Sequence, residues 1–374
     1  MAGIYLHIPF CSTKCHYCNF FSTVSLKHKD EVLKALKKEI VIMKNYLGDE
    51  TINTIYWGGG TPSMLDFNEL KSIVNILEDN FNISSDAEKT MEANPDDLHQ
   101  KKLEEIFSLA FNRLSIGTQS FDDDILKKLN RRHTAEAAVK SVQFAKEVGF
   151  KDISIDLIYG IPGLSNEQWK ANILKAISME INHISAYNLT VESGTALDIL
   201  INKHKYPKLD ETQSLEHFEI LLYELQKADF EHYEISNFAK NQRYSLHNSN
   251  YWKQEKYLGF GPSAHSYNLT SRQWNIANIN KYIDGINSDL PAVENEVLTT
   301  ENRHNEYIML SLRTIWGMNI EKLQRDFGRK NSDIFKAKAV KFLSEGKMKI
   351  VNNCYILSKE GKKFADGIAS EFFI

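Results

Sequence analysis

Apolar, β-rich runs alternate with amphipathic helical segments through the first 230 residues, and this alternation leaves the chain few architectures to choose from. The strand-like runs fall at 3–8, 52–57, 89–93, 113–118, 152–158 and 183–190. Between them, 30–47 places Val32, Leu33, Leu36, Ile40, Met43 and Leu47 at steps of three or four, and 66–79 does the same with Leu70, Ile73, Val74 and Leu77, giving each helix one apolar stripe. Further helices are predicted over 99–110, 134–148, 165–178 and 210–228. Strand–helix units in series make a parallel sheet covered by helices. Six such units suit an incomplete β/α barrel and an open doubly wound sheet equally well, and periodicity alone does not separate them.

The stretch 233–298 is rich in Asn, Tyr, Trp and Gly and reads as loops with short strands. Helical patterns at 300–314, 319–327 and 333–345 follow, then Lys349 to Leu357 with Asn352-Asn353 as a hairpin turn, and a last helix over 359–371. That order suggests a small winged-helix-like α+β module. Three regions result: a core over 1–232, an irregular region over 233–298 and a C-terminal module over 299–374. The module carries 14 Lys/Arg against 9 Asp/Glu while the whole chain has a net charge of −4. Mild basicity without a basic stripe does not make a nucleic-acid surface. A composition of 42% hydrophobic and 25% charged residues is that of a soluble globular protein. No apolar run approaches the ~20 residues of a membrane span, and the first residues lack the pattern of a secretory signal. A cytoplasmic protein is expected.

Three of the four cysteines lie together after the first strand, in Cys11-Ser-Thr-Lys-Cys15-His-Tyr-Cys18. The fourth, Cys354, is far away, which is not a disulfide framework. A zinc site would need a fourth ligand, with His7 and His16 as candidates. Three thiolates in C-x3-C-x2-C spacing suit a cubic iron–sulfur cluster with one iron left open. This spacing resembles that of the radical S-adenosylmethionine (SAM) superfamily. The resemblance implies a [4Fe–4S] cluster on Cys11, Cys15 and Cys18, with SAM chelated through its amino and carboxylate groups to the open iron.

Ligands of parallel β/α folds sit at the carboxyl ends of the strands, and the polar oddities of this sequence fall there. Trp57-Gly58-Gly59-Gly60-Thr61-Pro62 follows the second strand, where glycines allow close approach of backbone to a ligand. Glu92-Ala-Asn-Pro95, Gly117-Thr-Gln119-Ser-Phe121 and Asp156-Leu-Ile-Tyr-Gly-Ile-Pro162 follow the next three. Each polar residue could also be a helix cap or a satisfied buried group. Glu92 and Asp156, carboxylates in apolar strands, need partners. Arg131 could bind a carboxylate in bidentate fashion, although Arg132 beside it competes for that role.

In combination and order, His7-Ile-Pro-Phe-Cys11 with the cysteine triplet, Gly58-Gly-Gly-Thr-Pro62, Gly117-Thr-Gln-Ser-Phe121 and Asp156-Leu-Ile-Tyr-Gly-Ile-Pro162 resemble oxygen-independent coproporphyrinogen III oxidase and its relatives along nearly the whole chain. The resemblance implies an incomplete (β/α)6 barrel. It also implies that Tyr5, Tyr17, Gly60, Thr61, Glu92, Gln119, Arg131 and Asp156 contact SAM, with Glu92 on the amino group, Arg131 on the carboxylate, and Gln119 and Asp156 on the ribose side.

Two departures point within that family. Oxidases add a cysteine two residues after the triplet, where this chain has Phe20, and they carry an N-terminal extension, whereas this chain starts just before its first strand. The Cys18-Asn19-Phe20 ending is similar to the haem chaperone branch, as is His247-Asn-Ser-Asn-Tyr251-Trp252. An imidazole ligates haem iron and aromatic rings offer a flat surface to a porphyrin. A structural loop with a hydrogen-bonded histidine is the alternative; the resemblance implies His247, with Tyr251 and Trp252, as the haem residue and His265 as the second candidate. The resemblance implies a carrier that binds haem or a porphyrin, an electron donor, a haem-accepting protein at the membrane and a homodimer. The enzymatic alternative is decarboxylation of coproporphyrinogen III to protoporphyrinogen IX.

Overall fold

The computed structural model describes residues 2–374. Strands β1 (Ala2–Ile8), β2 (Ile52–Gly59), β3 (Ile83–Ala93), β4 (Arg113–Gln119), β5 (Asp152–Tyr159) and β6 (His183–Asn188) are parallel, each hydrogen-bonded to the next in chain order. That order decides between the two architectures. A doubly wound sheet reverses direction at a switch point. Here every step goes the same way, and right-handed crossovers then put all connecting helices on one face, so the sheet curls into an incomplete barrel.

The helices start and stop where the sequence supplies caps. Asp66 with Glu69, and Ser165 with Gln168, form capping boxes for Phe67–Asn80 and Asn166–Ser178. Thr134 caps Ala135–Val148, which ends on Gly149 at φ 114°. The outward strand residues Ile4, Leu6, Ile8, Ile55, Trp57, Met91, Leu114, Ile116, Ile155 and Leu157 are buried in one core beneath these helices.

The sheet continues on both sides and does not close. β7 (Glu231–Glu234) and β8 (Asn237–Ala239) extend it beyond β6. β9 (Lys256–Phe260), β10 (His265–Tyr267), β11 (Ser271–Asn275) and β12 (Val293–Val297) extend it beyond β1, making one 12-stranded sheet. The region expected to be irregular, 233–298, thus builds both flanks of the barrel sheet. Its strands are only 3 to 5 residues long from β8 to β12, too short to show a period.

The C-terminal module contains helices Thr300–Leu312, Ile320–Phe327 and Arg329–Ser344 and a small sheet of β13 (Met318–Asn319), β14 (Met348–Val351) and β15 (Cys354–Leu357). Asn352 and Asn353 turn the hairpin with φ of 48° and 61°. The last helix, expected over 359–371, is instead two, Lys359–Lys362 and Ala365–Ser370. The module has its own core around Ile308, Leu312, Leu323, Phe335 and Phe372. Helix Thr300–Leu312 is tied to both flanks of the open barrel. Glu306 accepts from Arg272 of β11 at 2.9 Å, and Arg313 lies 3.3 Å from Glu234 of β7.

Candidate functional site

Because side chains alternate along a strand, the second face of β1–β6 lines the barrel interior, and that face is polar. It carries Gly3, Tyr5 and His7 on β1, Thr54, Tyr56 and Gly58 on β2, and Glu88, Thr90 and Glu92 on β3. Ser115 and Gly117 on β4, Asp156 on β5 and Ser185 on β6 continue it. Buried polar groups need partners, and these find them in one another or remain available at the upper, carboxyl-end rim.

There a cavity of ≈ 420 Å³ is lined by Cys11, Cys15, Cys18, Tyr17, Gly60, Thr61, Glu92, Gln119, Arg131 and Asp156. Residues from three loops and from strands β3, β4 and β5 thus meet in one place. Tyr5 is not in this lining. It sits one layer lower, its hydroxyl donating to His7 Nδ1 at 3.1 Å. The His7 Nε2–H donates to the Phe21 carbonyl at 2.7 Å, holding the return of the cysteine loop. Burial pushes the His7 pKa down to about 4, so the ring is neutral. His16 Nδ1 bonds the Lys128 carbonyl at 3.0 Å. Both histidines thus bond backbone carbonyls, and among the described residues no three His, Cys, Asp or Glu side chains are grouped to hold a single metal ion.

The thiols themselves are free and partly exposed. Burial pushes Cys11 and Cys18 up, with the Lys14 ammonium pulling both the other way. A chain of donors joins two of them. Arg131 Nη1 donates to Cys15 Sγ at 3.3 Å and its Nη2 to Asn94 Oδ1 at 2.6 Å. Asn94 Nδ2 then donates to Thr61 Oγ1 at 3.2 Å, and Thr61 to Cys11 Sγ at 3.6 Å. Soft sulfur donors beside a fixed guanidinium and an ammonium fit an anionic iron–sulfur cluster. Asn94 was missed as a site residue; its signal was its place two residues after Glu92, at the end of the same strand.

The glycine run is dictated by contact. A Cβ on Gly58 would lie 3.0 Å from the Glu92 carboxyl, and one on Gly59, at φ 102°, 2.6 Å from the His7 ring. The amides of Gly60 and Thr61 are already bonded to the Ile8 and Phe10 carbonyls, so this loop offers a ligand acceptors more than donors. Gln119 ends β4 at φ 65°, a left-handed conformation rare for a side chain of its size and of the kind held at functional sites.

Two carboxylates face the cavity. Burial pushes the Glu92 pKa up to about 7, the Tyr56 hydroxyl, which donates to Oε1 at 2.8 Å, opposing it and the Asp156 charge adding to it. Burial likewise raises Asp156 to about 6, against hydrogen bonds from Ser185 and Ser115. A cation placed between them would relieve both.

The haem candidates separate. His247 is 2% exposed, deep in the barrel, with Nδ1 bonded to Thr54 Oγ1 at 2.8 Å and Nε2 to the Tyr251 hydroxyl at 3.0 Å. Both ring nitrogens are hydrogen-bonded to protein hydroxyls. Trp252 turns away toward the C-terminal module, under the Arg313 guanidinium at 5.4 Å. Of the motif's side chains, Tyr251 meets the His247 ring edge-on and Trp252 packs apart from that pair. His265 is exposed at the start of β10 and stacks on Trp274 at 5.7 Å. Burial of part of the ring and the nearby Arg272 push its pKa down.

Residues 5–175 match the model of the radical SAM superfamily. The chain is 34% identical to the haem chaperone HemW of Bacillus subtilis over 100% of its own length and 99% of the relative's. It is 31% identical to that of Mycobacterium tuberculosis over 98% and 93% of the two chains. Its fold is similar to coproporphyrinogen III oxidase (HemN) from Escherichia coli, with a TM-score of 0.87 at 21% identity, covering 100% of this chain and 90% of that one. A cysteine triplet on the rim of a six-stranded partial barrel, together with full-length relatives above 30% identity, places the chain in the HemW family of radical SAM proteins.

Proposed function

We propose that the chain is a haem carrier that holds a [4Fe–4S] cluster on Cys11, Cys15 and Cys18, binds SAM in the adjoining cavity, and passes haem to an acceptor protein. The observation that carries this reading is the convergence of the three thiols, Glu92, Arg131 and Asp156 on one cavity in a chain whose full-length relatives are named haem chaperones. When bound, a cluster with three protein ligands supplies an open iron for chelation and an electron for a bound sulfonium. The chain's own residues do the rest. Glu92 receives the amino group, Arg131 offers its guanidinium charge to the carboxylate, and Gln119 and Asp156 take the ribose hydroxyls. Haem iron is ligated by His265, whose ring nitrogens carry no protein hydrogen bond among the described residues, with Trp274 supporting the imidazole.

The test combines two measurements on reconstituted protein. Haem titration is expected to show stoichiometric binding, and His265→Ala to weaken it by about tenfold or more with an altered haem spectrum. Anaerobic incubation with SAM, a reductant and coproporphyrinogen III should give no decarboxylated product by mass spectrometry. Protoporphyrinogen over many turnovers would replace the carrier with the oxidase. An unchanged haem affinity and spectrum in His265→Ala would remove that residue from the haem site.

The raised pKa of Glu92 sets a pH dependence. A cationic amino group needs the carboxylate, and the carboxyl is protonated below its pKa of about 7. SAM affinity should therefore fall as pH drops from about 7.5 to about 6, approaching about tenfold per pH unit. Glu92→Gln should bind SAM weakly and lose this slope. Equilibrium dialysis across that range checks it, and a flat wild-type profile would contradict the assignment.

A further inference from the structure

We infer that His247, with Thr54 and Tyr251, is a positioning group for the SAM ligand Glu92, acting through Tyr56 at the floor of the cavity. This deepens the SAM reading above and rests on it.

The His247 ring lies flat against the Tyr56 ring, centroids 5.0 Å apart at 23°, and Tyr5 completes the layer at 6.5 Å from His247 and 6.3 Å from Tyr56. Tyr56 ends in the hydroxyl that donates to Glu92 Oε1 at 2.8 Å. The phenol can aim at that oxygen only while its ring plane is fixed, and His247 forms one wall of its slot. His247 in turn cannot tilt. Thr54 and Tyr251 hold its two nitrogens, and the Tyr251 ring meets its edge at 4.9 Å and 86°. Gly3 makes the space, since a Cβ there would be 2.8 Å from Thr54 Oγ1 and 3.3 Å from the imidazole.

The segment carrying His247 is pinned as well. The amides of Leu246 and His247 donate to Glu88 Oε2 and Oε1 at 3.0 and 2.9 Å, and Glu88 lies on β3, four residues before Glu92 and on the same inward face. One strand thus carries both the anchor of the His247 segment and the SAM carboxylate. At the other end of the segment, Trp252 meets Arg313, which pairs with Glu234 and Asp366. The imidazole serves here as a rigid, doubly bonded spacer. The residue is 2% exposed.

The experiment uses the full-length protein with its cluster reconstituted. SAM affinity is measured by dialysis of labelled SAM, and haem affinity by titration. His247→Phe keeps a stacked aromatic ring and removes both nitrogen contacts. It should raise the SAM dissociation constant about tenfold and leave haem affinity unchanged. Combined with Glu92→Gln, it should add nothing further, because its effect runs through that carboxylate. Additive loss in the double variant would make His247 a merely structural residue and overturn the inference. Loss of haem affinity with intact SAM binding would overturn it in favour of a haem role. Should His247→Phe fail to fold, Thr54→Val removes one of the two contacts at nearly constant volume; a SAM dissociation constant raised about threefold supports the inference and an unchanged one overturns it. If Glu92→Gln alone leaves SAM binding untouched, the SAM assignment of Glu92 fails, and this inference falls with it.

Discussion

Replacing Cys11 and Cys15 together by alanine is expected to abolish the brown chromophore and the bound iron and sulfide, while the protein stays folded. One thiol would remain of the three on the cavity rim, and iron in such clusters is held by cysteine sulfur. The Arg131 guanidinium would lose its sulfur partner at 3.3 Å, and Thr61 its own at 3.6 Å. The fold should tolerate this because the loop is held by other bonds. His7 fixes the Phe21 carbonyl, Lys14 fixes that of Phe20, the Cys11 amide donates to the Thr23 carbonyl, and the Thr23 amide to that of Pro9. Iron and sulfide analysis with far-ultraviolet circular dichroism distinguishes the outcomes. Wild-type iron and sulfide in the double variant would show that the cluster sits elsewhere.

Gly59→Ala should be nearly as damaging, by a steric route. The residue has φ 102°, where a side chain is strained, and the added methyl would meet the His7 ring at 2.6 Å. Strain of this kind costs about 1–3 kcal/mol, and the clash adds to it because His7 has no room to retreat. Its ring is buried and bonded to both Tyr5 and Phe21. Moving it releases the loop that presents the thiols. The expected result is a destabilisation of about 2–4 kcal/mol in denaturant titration, together with reduced cluster occupancy. A variant with wild-type midpoint and full occupancy would mean that His7 does not brace the loop.

Much of this architecture was legible in the residues. Strand β4 spans Arg113–Gln119 where 113–118 was expected, and helix Ala135–Val148 matches the pattern over 134–148. The first half of β3 was not seen, because Ser84, Ser85 and Asp86 are polar and Ser85 and Asp86 lie exposed on the strand before it enters the barrel. The choice between barrel and open sheet depended on strand order, which no local period encodes. At the site, the rim residues announced themselves as polar side chains beside glycines. The floor did not. Thr54 and Tyr56 read as ordinary strand positions, Glu88 fell just before the expected strand 89–93, and His247 read as a haem residue because its aromatic neighbours suit a porphyrin as well as they suit a packed interior. Only the pairing of residues some 190 positions apart, Thr54 with His247, separates those two meanings. The alternation of polar and apolar residues in β1 to β3 was the available clue, since parallel strands covered on both faces are usually apolar throughout.

The place of β1 between β2 and β9 has a consequence for the order of events during synthesis. The strand leading to the thiols leaves the ribosome about fifty residues ahead of β2, but its other neighbour, Lys256–Phe260, follows some two hundred and fifty residues behind it. Gly261, which closes over the His7 carbonyl, arrives with it. Domains form as units while the chain grows, and contacts of such long sequence separation are late and slow. The nascent cysteine loop is therefore tethered on one side only for most of translation, and delivery of iron and sulfur belongs to the finished polypeptide.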